Sequence, residues 1–274
     1  MRELLHRATL VSTVLCGCKS ELPVESRAPD ELNRLVTSIS AASVVSGFKH
    51  GRLRKEIAVA GFSISKRPIT VEQFLSCVES GPCNVPTQGC GNMDGDAQDA
   101  ALCVGPENAE AYCSWSGGRL PRLSEWLLAA RGRSVQRFSW GAGAATCDQH
   151  PLARNPLRWS DPNVDRAVLV REEGETECGE APELRFRVGR HGAGASPFGL
   201  EDVLIARGEL LAGHSDSNFA PCMNSNSGCA VYGLIPGAID SVRAVSTGSN
   251  GGGELPVQEE EPYSFRCVWS EEGV

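Results

Sequence analysis

The sequence is poor in aromatic residues, which make up 6% of its 274 positions, and it holds only 3 Met and 5 His. Basic residues are also in deficit, with 26 Lys and Arg against 34 Asp and Glu, a formal charge of −8. That balance, with no clustered Lys/Arg footprint, argues against a nucleic-acid partner; a neutral or cationic partner suits it better. No G-x-S-x-G elbow occurs, which removes the case for an α/β-hydrolase nucleophile. H-E-x-x-H, close histidine pairs and tandem C-x-x-C are likewise missing, so the usual zinc patterns find no support. His6, His50, His150, His191 and His214 are scattered, and surface or loop positions are expected for them outside the N-terminal segment.

What is present includes 30 Gly, 16 Pro and 12 Cys, with 41% hydrophobic residues. A chain of this size can bury roughly three-quarters of its unfolded surface, so wholesale disorder is excluded. Cysteine is too sparse for a disulfide mini-scaffold and too frequent for an ordinary cytosolic protein without a metal. The N-terminus points to export. Arg2 and Arg7 precede the apolar run from Ala8 to Leu15, which is far shorter than the roughly 20 residues a membrane span needs. Leu15-Cys16-Gly17-Cys18 is similar to a bacterial lipobox, with Cys18 as the expected lipidation site. Residues 1–17 are then a signal peptide, and residues 18–55 a lipid-tethered linker. The expected location is the bacterial cell envelope, held to a membrane by acyl chains whose buried methylenes add about 0.8 kcal/mol each.

Without Cys16 and Cys18, 12 − 2 = 10 cysteines remain, an even number that favours disulfides in an exported chain. Cys77 and Cys83, and Cys222 and Cys229, bracket short turn-rich segments and are the first candidates for local bridges.

Within the linker, Leu32, Leu35, Val36 and Ile39 are spaced for one face of a short helix. The domain is expected over residues 56–274, beginning where Ile57, Val59, Phe62 and Ile64 alternate in strand fashion. Thr70-Val-Glu-Gln73 is a capping-box pattern that opens a helix carrying Val71, Phe74, Leu75 and Val78. A second helix is expected from Pro106, with Ala109, Tyr112, Cys113 and Trp115 spaced for burial. Ser124, or the turn before it, should cap a third short helix that buries Trp126 and Leu127. Beyond it, Gly/Pro/Asn-punctuated segments predict an irregular, loop-rich α+β domain that disulfides help to order.

The run from Ala111 to Pro121 (AYCSWSGGRLP), with Glu125-Trp126 and Ala129-Ala130-Arg131-Gly132, resembles the signature of the formylglycine-generating enzyme (sulfatase-modifying factor) family. Further landmarks follow in the family's order: Phe62 to Phe74, Trp140-Gly141, Ser196 to Asp202, and Phe265-Arg266-Cys267-Val268. The resemblance covers about residues 56–269 and implies a fold related to C-type lectin domains, with two helices, small twisted sheets and much ordered loop. It also implies that Arg119, Glu125 and Trp126 are framework residues.

Family enzymes oxidise a sulfatase cysteine with copper held by two cysteines that follow a late Arg-Gly-Gly-Ser segment, soft thiolates suiting Cu(I). Here that segment is Arg243-Ala-Val-Ser-Thr-Gly-Ser249, which holds no cysteine. The Gly-Asn-Val-Trp-Glu-Trp landmark, associated with a calcium site, is represented by residues 205–210 and keeps only Glu209. Asn92 to Asp99 alternates oxygen ligands, yet an EF-hand count from Asn92 meets Ala97 and Cys103 where Gly and Glu belong. Gly192 and Gly194 lack the context of a phosphate cradle, and Glu259-Glu260-Glu261 beside Gly251-Gly-Gly253 is a solvated loop. The leading expectation is a non-catalytic binding or interaction module for an unidentified ligand or protein, without a cofactor. The alternative is a divergent copper-dependent oxidoreductase using relocated cysteines such as Cys222 and Cys229, the one reading under which copper or calcium is expected.

Overall fold

A computed structural model describes residues 35–46, 55–86, 93–133, 136–143, 146–150, 158–159, 169–170, 186–205, 208–212, 229–233, 242–246 and 263–270. The Cys18 lipidation site, the signal peptide and Cys222 lie outside them.

The strands are β1 (Val36–Ile39), β2 (Ala42–Ser46), β3 (Lys55–Val59), β4 (Phe62–Ser65), β5 (Arg158–Trp159), β6 (Leu169–Val170), β7 (Gly208–Leu211), β8 (Cys229–Gly233), β9 (Val242–Ser246), β10 (Tyr263–Phe265) and β11 (Val268–Ser270). The helices are α1 (Val71–Ser80), α2 (Pro106–Trp115) and α3 (Leu123–Arg131), with a 3-10 turn at Gly192–Gly194. Described α-helices thus number three where the resemblance implies two. The class is α+β, with long stretches of ordered loop between small sheets.

One sheet has the order β1-β4-β11, antiparallel throughout. A second has the order β10-β7-β8-β9, in which β10 and β7 run parallel and the other neighbours antiparallel. In both sheets the terminal segment of the chain is laid beside strands much earlier in the sequence. β2 and β3 form their own antiparallel pair, as do β5 and β6.

The helical spacing of Val36 and Ile39 is overturned: Val36–Ile39 is a strand in register with Phe62–Ser65. Ladder bonds and burial of Ile39 between the sheet and α3 outweigh a periodicity that only four residues carried. The folded body therefore begins ahead of Glu56.

α1 starts as its capping box dictates: the Thr70 hydroxyl accepts from the Gln73 amide at 3.2 Å, and the Gln73 side chain accepts from the Thr70 amide at 3.0 Å. Phe74 and Cys77 are its fully buried positions, while Leu75 and Val78 are half-buried. In α2, Ala109, Tyr112 and Cys113 are buried, but Trp115 is 37% exposed, contrary to its expected burial. Two residues past Cys113 is about 200° around the helix, so Trp115 lies on the flank, against the Tyr112 ring. α3 is capped by the turn and not by Ser124, which is a buried helix residue; Arg122 is the N-cap, and its amide donates to Glu125 Oε2 at 2.8 Å. Every residue of α3 is buried, including Trp126 and Leu127.

Two apolar clusters meet around α3 and the terminal strands. One joins Ile39, Phe62, Ile64, Trp126, Leu127 and Val268, and the other joins Phe74, Tyr112, Cys113, Leu120, Phe265 and Cys267. Cys77 and Cys83 are bridged, and so are Cys113 and Cys267, separated by 154 positions. Cys103 and Cys147 each take part in a disulfide of their own. The Cys222 and Cys229 pairing falls outside the described side chains.

Candidate functional site

The Ala111 to Pro121 run and the Phe265 to Ser270 run, far apart in sequence, are one structural unit. Arg119 and Val268 exchange backbone hydrogen bonds at 3.0 and 2.8 Å, and the Trp269 indole donates to Ser116 O at 3.0 Å. The backbone approach leaves no room for a side chain at position 118: a Cβ there would lie 2.6 Å from Val268 O and 2.9 Å from Trp269 Nε1. This is the physical reason for glycine in Gly117-Gly118-Arg119. The Cys113–Cys267 bridge fastens the same contact from inside, since both cysteines are fully buried.

Arg119 and Glu125 form a bidentate pair, with Nη2 2.6 Å from Oε1 and Nη1 2.8 Å from Oε2. The hydrogen-bonded carboxylate raises the Arg119 pKa further, over the opposing effect of its partial burial. Because Glu125 Oε2 also accepts from the Arg122 amide, this carboxylate completes the α3 N-terminus and orients Arg119 at once.

Below it lies a second arginine–glutamate pair that spacing could not reveal. Glu209 and Arg266 have side chains 1% and 0% exposed, and Arg266 Nε donates to Glu209 Oε2 at 2.9 Å. The same Oε2 accepts the Trp126 indole N–H at 2.9 Å, while Oε1 accepts the Leu204 amide at 3.2 Å and Arg266 Nη2 at 3.4 Å. Arg266 spends its other donors on the carbonyls of Ser65, Lys66, Glu201 and Asp202. A guanidinium ringed only by acceptors, and a carboxylate ringed only by donors, have no capacity left for substrate or proton transfer. Trp126, Glu209 and Arg266 are therefore framework by their bonding. Glu209, on β7, had a signal in the sequence as the one surviving member of its landmark; Arg266 stood within Phe265-Arg266-Cys267.

Asp202 is the one buried carboxyl here with capacity to spare. Its Oδ2 accepts the Gly189 amide at 2.5 Å, and its Oδ1 has no hydrogen-bond partner. Burial pushes its pKa up; the Gly189 amide, Arg266 and His191 oppose the shift, and Glu201 adds to it. Gly189 has φ +80°, and a Cβ there would lie 2.5 Å from Arg67 Cζ, so the loop end is held under Arg67, which pairs with Glu201 at 2.8 Å.

His150 and His191 lie in loop segments, as expected, but buried there, at 2% and 4% exposed. Each is buried because its ring serves a backbone carbonyl: His150 Nε2 donates to Leu204 O at 3.1 Å, and His191 Nδ1 donates to Cys147 O at 2.8 Å. Near them, Phe138 and Trp140 stack with ring centres 4.6 Å apart.

The described residues do not fit the metals that the resemblance implies. Among the described residues no group of three or more His, Cys, Asp or Glu is arranged to hold a metal ion. Six described cysteines are in disulfides, leaving no thiolate among them for copper. Glu209, the remnant of the calcium-associated landmark, is saturated by protein donors. On the backbone, β8 sets Cys229 opposite Ser246 of β9, so the segment Arg243 to Ser249 begins within a sheet strand.

A family model described as "Sulfatase-modifying factor enzyme 1-like domain" matches residues 27–204. A search of curated proteins finds no significant match. Among solved structures, that of PvdO from Pseudomonas aeruginosa matches with a TM-score of 0.50 at 15% identity, covering 85% of this chain and 93% of that one. The crystal structure of CarF matches with a TM-score of 0.46 at 13% identity, covering 85% of this chain and 97% of that one.

Proposed function

The chain belongs to the family of sulfatase-modifying factor enzyme 1-like domains, and from that premise we propose that it is a non-catalytic binding or interaction module on an exported, lipid-anchored protein of the bacterial cell envelope. One observation carries the reading: the buried polar residues of the family-like motifs are consumed by one another. Glu125 serves Arg119 and the α3 cap, and Glu209 serves Trp126, Arg266 and Leu204. Such a frame supports loops rigidly and lets their side chains differ without loss of the fold, which suits recognition of a ligand or protein. The absence of cysteine from Arg243 to Ser249 supports the same reading. The anchor rests on the lipobox-like Leu15 to Cys18, and Cys18→Ala should release the protein from membranes with the fold intact.

A second reading, a divergent copper-dependent oxidoreductase, draws on the register that pairs Cys229 with Ser246. The two are separated by incubating the mature protein with a sulfatase-derived cysteine peptide, Cu(I) and oxygen, beside an active formylglycine-generating enzyme as control. No peptide aldehyde and no stoichiometric copper are expected. Turnover above that of a Cys222→Ser, Cys229→Ser variant would replace the binding reading with the enzymatic one.

A further inference from the structure

We propose that the exposed face of α2, with Val85 held beside its N-terminal turn and Trp115 at its C-terminal end, is a docking surface for a basic segment of a protein partner that also carries apolar side chains. The proposal deepens the binding reading and rests on it, but not on export or lipidation.

The charge of the chain is concentrated here. From Pro68 to Gly118 the sequence holds 7 Asp and Glu, among them Glu79, Glu107 and Glu110, and no Lys, Arg or His. That segment carries −7, so the remaining 34 − 7 = 27 acidic residues nearly balance the 26 basic ones and leave only −1 for the rest of the chain. Part of the charge is consumed inside the fold, since Asp99 is 5% exposed and Asp96 pairs with Arg187 at 3.2 Å. Glu79, Glu107 and Glu110 are exposed and enter no ion pair among the described residues. Arg119 lies within electrostatic reach of Glu110, but its guanidinium is held by both oxygens of Glu125.

The apolar exposure falls in the same place. Among the described residues, Val85 and Trp115 are the exposed large hydrophobics, at 52% and 37%. Single apolar residues are ordinary on a protein surface, but these two belong to one helix face. The Asn84 amide donates to Asn108 Oδ1 at 3.0 Å, which holds Val85 beside the first turn of α2. Asn108 and Trp115 are two helical turns apart, so they lie on one side of the helix at about 10 Å from each other. Glu107, Ala111 and Trp115 form the adjacent i, i+4, i+8 ridge, and the exposed Glu110 and Ser114 continue the face beyond it. Both ends are fastened. The Cys77–Cys83 bridge closes the turn that leads to Val85, while the Cys113–Cys267 bridge and the Tyr112 ring, 5.7 Å from that of Trp115, hold the other end. A fixed aromatic side chain with a polar rim suits a binding hot spot, because little ordering entropy remains to be lost.

The sign of the charge selects the occupant. A second copy would set −7 against −7, and an anionic membrane surface would be repelled in the same way. A segment bearing Lys or Arg meets Glu107 and Glu110, while its apolar side chains cover Trp115 and Val85.

The test uses the full mature chain with its disulfides intact. The probe is an Ala-based peptide of about four helical turns, with Leu at one end and two Lys about two turns away, beside a twin with Glu in place of Lys. Calorimetry should find that the Lys peptide binds, more weakly as salt is raised, and that the twin does not. The Trp115 indole N–H resonance should move on titration. Trp115→Ser, and separately Glu107→Gln with Glu110→Gln, should each weaken affinity about tenfold or more in a protein that still melts cooperatively. Asp148→Asn, at an exposed carboxylate outside the face, should leave affinity unchanged. Absence of binding, equal binding of both peptides, indifference to Trp115→Ser, or an equal loss in Asp148→Asn would overturn the proposal. So would self-association, or binding to vesicles of anionic lipid, that depends on Trp115. Any of these leaves the binding reading itself standing, because that reading falls on peptide-aldehyde turnover above the Cys222→Ser, Cys229→Ser variant.

Discussion

Two arginine–glutamate pairs in this domain have the same chemistry and opposite surroundings. Arg119 and Glu125 stand six positions apart, meet at 2.6 Å, and leave the arginine side chain 36% exposed. Arg266 and Glu209 stand 57 positions apart, meet at 2.9 Å, and are cut off from water. The outer pair is local: it finishes one helix end and points one guanidinium. The inner pair is architectural, because its atoms reach β4, α3, the 201–204 turn, β7 and the connection between the terminal strands. A partly exposed arginine such as Arg119 keeps some of its hydration when its partner is lost, whereas a fully buried one such as Arg266 is left as a bare charge.

The sharpest way to break that comparison is Glu209→Gln, which keeps the size of the side chain and strands the Arg266 guanidinium. A loss of about 3–5 kcal/mol is expected from removing one partner of a buried pair, read as a large fall in the denaturant midpoint. If this variant unfolds no more easily than one altered at Glu125, the architectural reading of the inner pair is wrong.

Next in size is loss of the bridge that ties the two motif runs together. Cys113→Ser with Cys267→Ser should cost about 2–5 kcal/mol in a melt or a denaturant titration. The Cys77–Cys83 bridge closes a loop of only 6 positions' separation, so the same pair of changes there should cost less. Equal costs would mean that the long-range bridge constrains nothing that the inner pair does not already hold.

The smallest effect belongs to the outer pair. Glu125→Gln should cost about 1 kcal/mol, combining a weakened helix cap with a half-exposed ion pair. Raising salt should shrink the difference between the Glu125 variant and its parent and leave the Glu209 difference nearly unchanged, since buried charges are poorly screened.

Local features were legible in proportion to how short a stretch of chain defines them. The α1 capping box, the α2 start at Pro106, and the Cys77–Cys83 bridge each lie within about two turns of chain, where geometry follows from spacing alone. Helical spacing failed at Val36–Ile39 because a sheet partner, 62 − 39 = 23 positions away for Ile39 with Phe62 and 65 − 36 = 29 for Val36 with Ser65, supplied both the hydrogen bonds and the cover. Trp115 was misjudged because burial depends on what stands opposite a helix face. The loop placement of His150 and His191 was legible, but their burial was not, because the carbonyls that they serve lie 54 and 44 positions away.

By itself the sequence determined the helix starts, the oxidised short loop, the α+β class and the family motifs, because each is written in residues that are neighbours along the chain. Only the tertiary structure decided that Glu209 faces Arg266, that Cys113 meets Cys267, that Gly118 lies under Trp269, and that buried Asp202 accepts the Gly189 amide. Those pairings join positions far apart along the chain, and no periodicity links them; they arise when the terminal strands are laid into two sheets and the polar groups trapped there take the partners within reach.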